Sequence, residues 1–185
     1  MDGSTGMNLP NTITIGRILL VPFIIWLIIS GQFLAAFAAF LIAGASDAAD
    51  GYIAKHYGQV TDLGAHLDPI ADKALLVSIY LALGLLHYLP AWLVILVASR
   101  DVLIIGAVLL ARVLDRPVVV APLMISKINT AGQILLAATL LGALGIGFAG
   151  HPLLEIGSWI VGALTVASGA AYLQSWITHM ANGQS

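Results

Sequence analysis

Residues 46–55 read SDAADGYIAK, and residues 64–73 read GAHLDPIADK. The first segment closes one long apolar stretch with Asp47 and Asp50, and the second opens the next apolar stretch with Asp68 and Asp72. Charged groups cost several kcal/mol near the centre of a bilayer, so they are rare there and usually functional. These two aspartate pairs therefore bear on both the fold and the function.

The composition of the chain favours a bilayer as its solvent. The 185 residues are 60% hydrophobic and 9% charged, whereas soluble domains carry roughly 25% charged residues. So few charges leave too little polar surface to solvate a folded particle in water. The net charge of -2 argues against a nucleic-acid partner. The lack of cysteine excludes disulfides and thiolate catalysis.

Six apolar stretches are each about as long as the 20 residues that a membrane-spanning helix needs. We predict an all-α integral membrane protein with six transmembrane helices. They form a single domain over residues 1–185, with residues 1–10 as an N-terminal tail. The predicted spans are roughly 12–30, 33–54, 65–86, 90–111, 123–146 and 153–177.

The basic residues predict how the spans are oriented. Lys55 follows the second span, Arg112 and Arg116 follow the fourth, and Lys127 begins the fifth. The connections after spans one, three and five carry no lysine or arginine. By the positive-inside rule, both termini and the basic connections face the cytoplasm. We expect a multi-pass protein of a bacterial cytoplasmic membrane, with its active site towards the cytoplasm.

The spacing of the aspartates predicts a shared cleft. Members of the first pair are three residues apart and those of the second four, so each pair lies on one helix face. Gly51 and Ala54 share the face of the first pair and leave room for a ligand to approach the backbone. Because a short connection makes the two helices antiparallel neighbours, the pairs can converge.

Four carboxylates in a low-dielectric cleft must be neutralised. Raised pKa values would protonate some of them, or hard divalent cations such as Mg²⁺, Mn²⁺ or Ca²⁺ would bind. Two other interpretations stay open at this point. One is a structural ion-pair cluster with Lys55 and Lys73, and the other is a proton or cation pathway through a transporter.

The spacing resembles the signature of the CDP-alcohol phosphotransferase family, D-x-x-D-G-x-x-A-R-x8-G-x3-D-x3-D. All eight fixed positions, spread over 26 residues, keep their spacing here, and Lys55 replaces the usual arginine. Lysine keeps the charge but loses the planar two-pronged donor. The resemblance implies an enzyme that transfers a phosphatidyl group from a CDP-linked lipid to an alcohol and releases CMP.

The resemblance also implies roles for residues. Asp47, Asp50 and Asp68 would hold two divalent ions, Mg²⁺ or Mn²⁺, with Asp72 as a further ligand and as the general base. The family also works as a homodimer. The residues implied for binding the CDP-lipid are Asp47, Asp50, Gly51, Ala54, Lys55, Gly64 and Asp68.

Two later segments bear on the acceptor alcohol. Residues 99–102 read SRDV and residues 125–131 read ISKINTA, and both runs are similar to those of eukaryotic-type cardiolipin synthases within this family. This similarity implies transfer from CDP-diacylglycerol to phosphatidylglycerol. The alternative is a phosphatidylglycerophosphate synthase, whose acceptor is glycerol 3-phosphate.

Three cations lie within predicted spans and are candidates for binding the acceptor's phosphate. They are Arg17, Arg100 and Lys127. The alternative for each is an ion pair with an acid, such as Arg100 with its neighbour Asp101.

Overall fold

A computed structural model of the chain describes residues 9–57, 62–113, 124–148 and 152–182. Six α-helices occupy these ranges, and the ranges contain no strand, which confirms the all-α class. Helix α6 continues five residues beyond the predicted end of the sixth span, to residue 182 rather than 177. The helices are α1 (Leu9–Ile29), α2 (Phe33–Tyr57), α3 (Asp62–Leu85), α4 (Ala91–Val113), α5 (Met124–Gly145) and α6 (Pro152–Asn182).

Two of the helices, judged on their described residues, are long and apolar enough to cross a membrane. They are Met124–Gly145 and Pro152–Thr178, and most of each apolar window is not buried inside the protein. Shorter apolar stretches, Leu19–Ile29, Phe33–Ser46 and Lys73–Leu85, lie in α1, α2 and α3. These apolar helices support a membrane-associated protein, while the count of six spans and the orientation of the termini stay predictions.

The chain divides into two compact units. The first comprises Met1–Leu83 with Leu140–Ala149, and the second comprises Gly84–Thr139 with Gly150–Ser185. Both aspartate pairs therefore belong to the first unit, and α4 and α6 belong to the second.

A tight turn joins α1 to α2 in the first unit. Gly31 has a φ of 71°, a left-handed conformation that favours glycine. The Gln32 amide donates to the Leu27 carbonyl at 2.9 Å, and the Gly31 amide donates to the Ile28 carbonyl at 3.1 Å. This pair of bonds forms a Schellman motif, which satisfies carbonyls at the end of α1. The turn lets α2 pack back against α1.

Small residues bring helices of the first unit close together. Ala36 and Ala43 are buried on α2, and Ile24 and Ile28 are buried on α1. At the end of α5, a Cβ added to Gly145 would lie 2.9 Å from the Leu34 Cα of α2. The close packing of α5 against α2 therefore requires a glycine at position 145.

In the second unit, α4 and α6 run in the same direction. The rings of Trp92 and Trp159 stack near the helix starts, with centroids 4.7 Å apart. Further along both helices, Arg100 contacts Ser168. Since the two contacts follow the same order in both helices, α4 and α6 are parallel.

Helix α5 runs against α6 in this unit. Thr165 of α6 contacts Asn129 of α5. A Cβ added to Gly157 of α6 would lie 3.0 Å from the Leu136 Cδ1 of α5. The contact further along α6 is made by the residue nearer the start of α5, so α5 is antiparallel to α6.

Candidate functional site

The two aspartate pairs lie on consecutive helices, at matching distances from the connection between them. Helix α2 ends at Tyr57 and α3 begins at Asp62. At a rise of 1.5 Å per residue, Asp50 and Asp68 lie about 10 Å from these helix ends, and Asp47 and Asp72 lie about 15 Å away. Both pairs lie within α-helices, where spacings of three and four residues put the two positions of each pair on one helix face.

The side chains of most predicted site residues lie outside the described residues. Of these, the structure gives only the helix that carries each one. The convergence of the two pairs, their metal binding and their nucleotide contacts therefore stay predictions. Among the side chains that the structure does describe, no three His, Cys, Asp or Glu residues form a group able to hold a metal ion. The residues known by their helix alone are Arg17 on α1, Asp47, Asp50, Gly51, Ala54 and Lys55 on α2, and Gly64, Asp68 and Asp72 on α3.

Arg100 is described in full, and its guanidinium is the centre of a buried polar cluster. The residue is 5% exposed. Its Nη1 donates to the Asp101 carboxylate within the same helix. Its Nη2 donates to the hydroxyl of Ser126 on α5 and, at 2.8 Å, to the hydroxyl of Ser168 on α6. The cluster therefore joins three helices of the second unit through one cation.

An aromatic ring adds a further contact. The Arg100 Cζ lies 5.6 Å from the centroid of the Tyr172 ring, within the range of a cation–π interaction. The Arg100 Nε is buried and has no hydrogen-bond partner. A buried donor without a partner is unusual, and it marks a place where a ligand or water oxygen would be stabilised.

Two of the three predicted acceptor-binding cations can be compared directly. Arg100 forms the ion pair with Asp101 that the sequence left as the alternative. Three of the five guanidinium N–H groups serve protein oxygens, so the pair does not exhaust its donors. Lys127 is exposed on α5, next to Ser126. The two cations thus differ, one held rigidly inside the unit and the other on its surface.

A second polar cluster lies between α5 and α6. The Thr165 hydroxyl is 2.9 Å from the Asn129 Oδ1 and 2.7 Å from the Val161 carbonyl, and it can donate to either. The Gln133 Nε2 donates to the same hydroxyl at 3.4 Å. Asn129, Gln133 and Thr165 are all almost fully buried. In an apolar surrounding, such bonds hold two helices in one register.

Sequence reasoning missed Ser126, Ser168 and Tyr172 as partners of Arg100. A signal for α6 does exist, since Thr165, Ser168 and Tyr172 are spaced three and four residues apart in an apolar helix. That spacing places polar groups on one face. Helical serines are common, however, and their partners on α4 and α5 are distant in sequence.

The sequence profile of the CDP-alcohol phosphatidyltransferase family matches residues 7–171 of the chain. The matched range contains both aspartate pairs, Arg100 and Lys127, and it ends one residue before Tyr172. Membership of a transferase family favours an enzyme over the transporter interpretation.

Curated relatives cover most of the chain. The probable cardiolipin synthase (CMP-forming) of Drosophila melanogaster is 34% identical over 180 residues, which are 89% of this chain and 56% of that protein. The cardiolipin synthase (CMP-forming) of Homo sapiens is 36% identical over 179 residues, 88% of this chain and 59% of that protein. The chain thus spans somewhat more than half the length of these two relatives.

A bacterial relative matches over nearly its whole length. The CDP-diacylglycerol–glycerol-3-phosphate 3-phosphatidyltransferase of Bacillus subtilis is 34% identical over 187 residues, covering 91% of this chain and 95% of that protein. With the profile match over residues 7–171, these similarities show that the chain belongs to the CDP-alcohol phosphatidyltransferase family.

Proposed function

We propose that this protein transfers the phosphatidyl group of CDP-diacylglycerol to phosphatidylglycerol, giving cardiolipin and CMP. The observation that carries the proposal is the complete spacing of the family's motif, divided between helices α2 and α3. The choice of acceptor is supported by the SRDV and ISKINTA runs and by the names of the Drosophila and human relatives.

In this reaction a hydroxyl oxygen of phosphatidylglycerol forms a bond to the phosphatidyl phosphorus, and the bond from that phosphorus to the CMP oxygen breaks. The hydroxyl loses its proton, and Asp72 is the group that we assign to accept it. A carboxylate can accept this proton, and a positioned general base increases the rate of such a step roughly 10²–10⁴-fold. The negative charge that leaves with CMP balances the proton.

The donor set at the site fits a hard divalent ion. Four carboxylates are the ligand chemistry of Mg²⁺ or Mn²⁺. Asp47, Asp50 and Asp68 would hold two such ions, with Asp72 as a further ligand. When bound, the ions would offset the charge of the diphosphate and of the leaving CMP.

The remaining motif positions would bind the CDP-lipid. Gly51, Ala54 and Gly64 have small side chains, so a nucleotide can lie against the backbone of α2 and α3. Lys55 supplies a positive charge for a phosphate, without the bidentate geometry of the arginine usual at this position. On the acceptor side, Arg17, Arg100 and Lys127 would bind the phosphate.

A second candidate uses glycerol 3-phosphate as the acceptor. It is favoured by the Bacillus relative, which this chain covers almost completely. The two candidates differ in the path of the acceptor. A two-chain lipid enters from the bilayer, whereas glycerol 3-phosphate enters from water.

We further propose that the enzyme spans a bacterial cytoplasmic membrane six times, with its active site towards the cytoplasm, and acts as a homodimer. The apolar helices, the distribution of Lys and Arg and the similarity to the Bacillus relative support the location. The dimer rests on the family resemblance, and cross-linking in native membranes would test it.

The acceptor comparison tests the proposal. Purified protein in mixed micelles is given CDP-diacylglycerol and either phosphatidylglycerol or glycerol 3-phosphate, with Mg²⁺, Mn²⁺ or EDTA. We expect cardiolipin and CMP in equal amounts with phosphatidylglycerol, and loss of both with EDTA. Cardiolipin at background level alongside rapid phosphatidylglycerophosphate formation would assign the second candidate instead.

A further inference from the structure

Helix α6 contributes two of the groups that surround the Arg100 guanidinium. The hydroxyl of Ser168 accepts a hydrogen bond from Nη2, and the ring of Tyr172 lies 5.6 Å from Cζ. These two positions are four residues apart, so they lie on one face of the helix. A Cβ added to Gly169 would lie 3.8 Å from the Arg100 Cγ, so the arginine stem also passes close to this helix.

The contacts restrict the direction of the guanidinium. A free arginine side chain has about 2 kcal/mol of rotamer entropy, and its planar fork binds best when its orientation is fixed in advance. Here Ser126 and Ser168 both accept from Nη2, and Asp101 accepts from Nη1. The group cannot rotate about its last bonds without breaking these hydrogen bonds.

The fixed orientation leaves a specific donor unused. The Nε atom of Arg100 is buried and has no partner among the described residues. An unsatisfied donor in such a place is costly, and the cost is removed when an anionic oxygen approaches it. The Asp101 carboxylate neutralises much of the charge of Arg100. The direction of the Arg100 Nε–H group therefore contributes more to binding an anionic oxygen than the net charge does.

We propose that Ser168 and Tyr172 of α6, together with Ser126 of α5, are positioning residues that orient Arg100 towards the phosphate of the acceptor. The inference rests on the proposed function, because it takes the acceptor to be an anionic phosphate compound. It assigns to the last helix a part in acceptor binding, although α6 carries none of the aspartate motif.

Ser168→Ala is the first test. It removes one of two hydroxyls from Nη2 and creates little strain. We expect the KM for phosphatidylglycerol to rise about tenfold, the effect of losing one hydrogen bond to a charged group. The kcat and the KM for CDP-diacylglycerol should stay within about twofold of wild type, because the aspartate site is unchanged.

Ser158→Ala is the matched control. Ser158 is also buried on α6, but its hydroxyl donates to the Leu154 carbonyl of its own helix at 2.9 Å. If α6 serves only as a packing element, both alanine variants should alter the melting temperature alike and neither should alter the acceptor KM. That result would overturn the proposal.

Two changes at Tyr172 separate the ring from the hydroxyl. Tyr172→Phe keeps the aromatic face, so its KM for the acceptor should equal that of the wild type. Tyr172→Leu removes the face and should raise this KM about fivefold, in keeping with a cation–π contact in a desolvated site. Equal KM values for the two variants would contradict a role for the ring.

An Arg100→Lys background completes the test. Lysine cannot form the same fork, so Ser168→Ala should change the acceptor KM by less than twofold in this background. A full tenfold effect there would show that Ser168 acts independently of Arg100. A wild-type enzyme that makes no cardiolipin contradicts the proposed acceptor instead, and the same variants are then measured with glycerol 3-phosphate, for which the same KM changes are expected.

Discussion

The hydroxyl of Thr165 on α6 lies 2.9 Å from the Asn129 Oδ1 on α5, and both residues are buried. The Gln133 amide reaches the same hydroxyl. One threonine thus connects two polar side chains of the neighbouring helix. Since interhelical hydrogen bonds in membranes contribute about 0.6–2 kcal/mol each, this cluster bears on the stability of the second unit.

Thr165→Val should destabilise the protein. Valine keeps the shape but leaves Asn129 and Gln133 without this hydroxyl, and an unsatisfied buried polar group costs about 1–3 kcal/mol. The midpoint of unfolding in SDS-containing micelles should shift to lower SDS. Thr139→Val is the control, because the Thr139 hydroxyl is exposed and bonds only carbonyls of its own helix. Equal shifts in the two variants would show that the cluster contributes nothing beyond the loss of a hydroxyl.

Gly145→Ala should also destabilise the protein, for a steric reason. Its new Cβ would lie 2.9 Å from the Leu34 Cα, and a backbone atom cannot move aside as a flexible side chain can. Forced overpacking of this kind costs about 1–3 kcal/mol.

Gly44→Ala in α2 is the control for this steric effect, since nothing lies within 4 Å of the added Cβ. Alanine there should be neutral or stabilise by up to about 1 kcal/mol, through helix propensity. A lower melting temperature for the Gly44 variant than for the Gly145 variant would refute this explanation.

Much of the fold is predictable from apolar stretch length and from turn residues. The sequence predicts that the first span ends at about residue 30, and the structure shows a left-handed glycine at residue 31, just past the end of α1. The apolar stretch of α6 ends at Thr178, next to the predicted end of the sixth span, whereas the helix itself continues to Asn182. A rule based on the thickness of a bilayer stops at residue 177, because the residues after it are more polar. Backbone hydrogen bonding does not depend on that polarity.

The site is only partly predictable, for a physical reason. Asp47, Asp50, Asp68 and Asp72 are recognisable because carboxylates in apolar helices need an explanation and because their spacing is local. Ser168 is an ordinary helical residue in the sequence. Its partner Arg100 is 68 residues away, so the contact follows from how α4 and α6 pack, which no local pattern encodes.

The buried ion pair predicts a non-additive response. Arg100→Met removes the cation that pairs with the Asp101 carboxylate, and removing one partner of a buried pair costs about 3–5 kcal/mol. Asp101→Leu similarly leaves the guanidinium without its anion. The double variant should lose less stability than the sum of the single variants, because it buries neither charge alone. Chemical unfolding of all four proteins in one detergent measures the coupling, and strict additivity would show that the pair is too well solvated to matter.

The base role proposed for Asp72 and the metal-binding role proposed for Asp47 and Asp50 predict different kinetic phenotypes. Asp72→Asn keeps the size of the side chain but removes its capacity to accept a proton. Turnover should fall by at least about 10²-fold, the usual contribution of a general base. Binding of CDP-diacylglycerol, measured by CMP-protected cross-linking or calorimetry, should change little. Turnover within tenfold of wild type would exclude Asp72 as the base.

Asp47→Ala or Asp50→Ala should act on binding as well as on rate. Each change removes one carboxylate from the set proposed to hold the divalent ions, so the Mg²⁺ or Mn²⁺ concentration for half-maximal activity should rise by about tenfold or more, corresponding to at least about 1.4 kcal/mol. Nucleotide affinity should fall in parallel, because in the proposed site the ions and these side chains would contact the same diphosphate. Glu155→Gln is the control for a general change in charge, since this exposed acid lies in the first turn of α6, in the second unit. If the aspartate variants keep the wild-type metal dependence while losing turnover, the two residues act on the substrate directly and are not metal ligands.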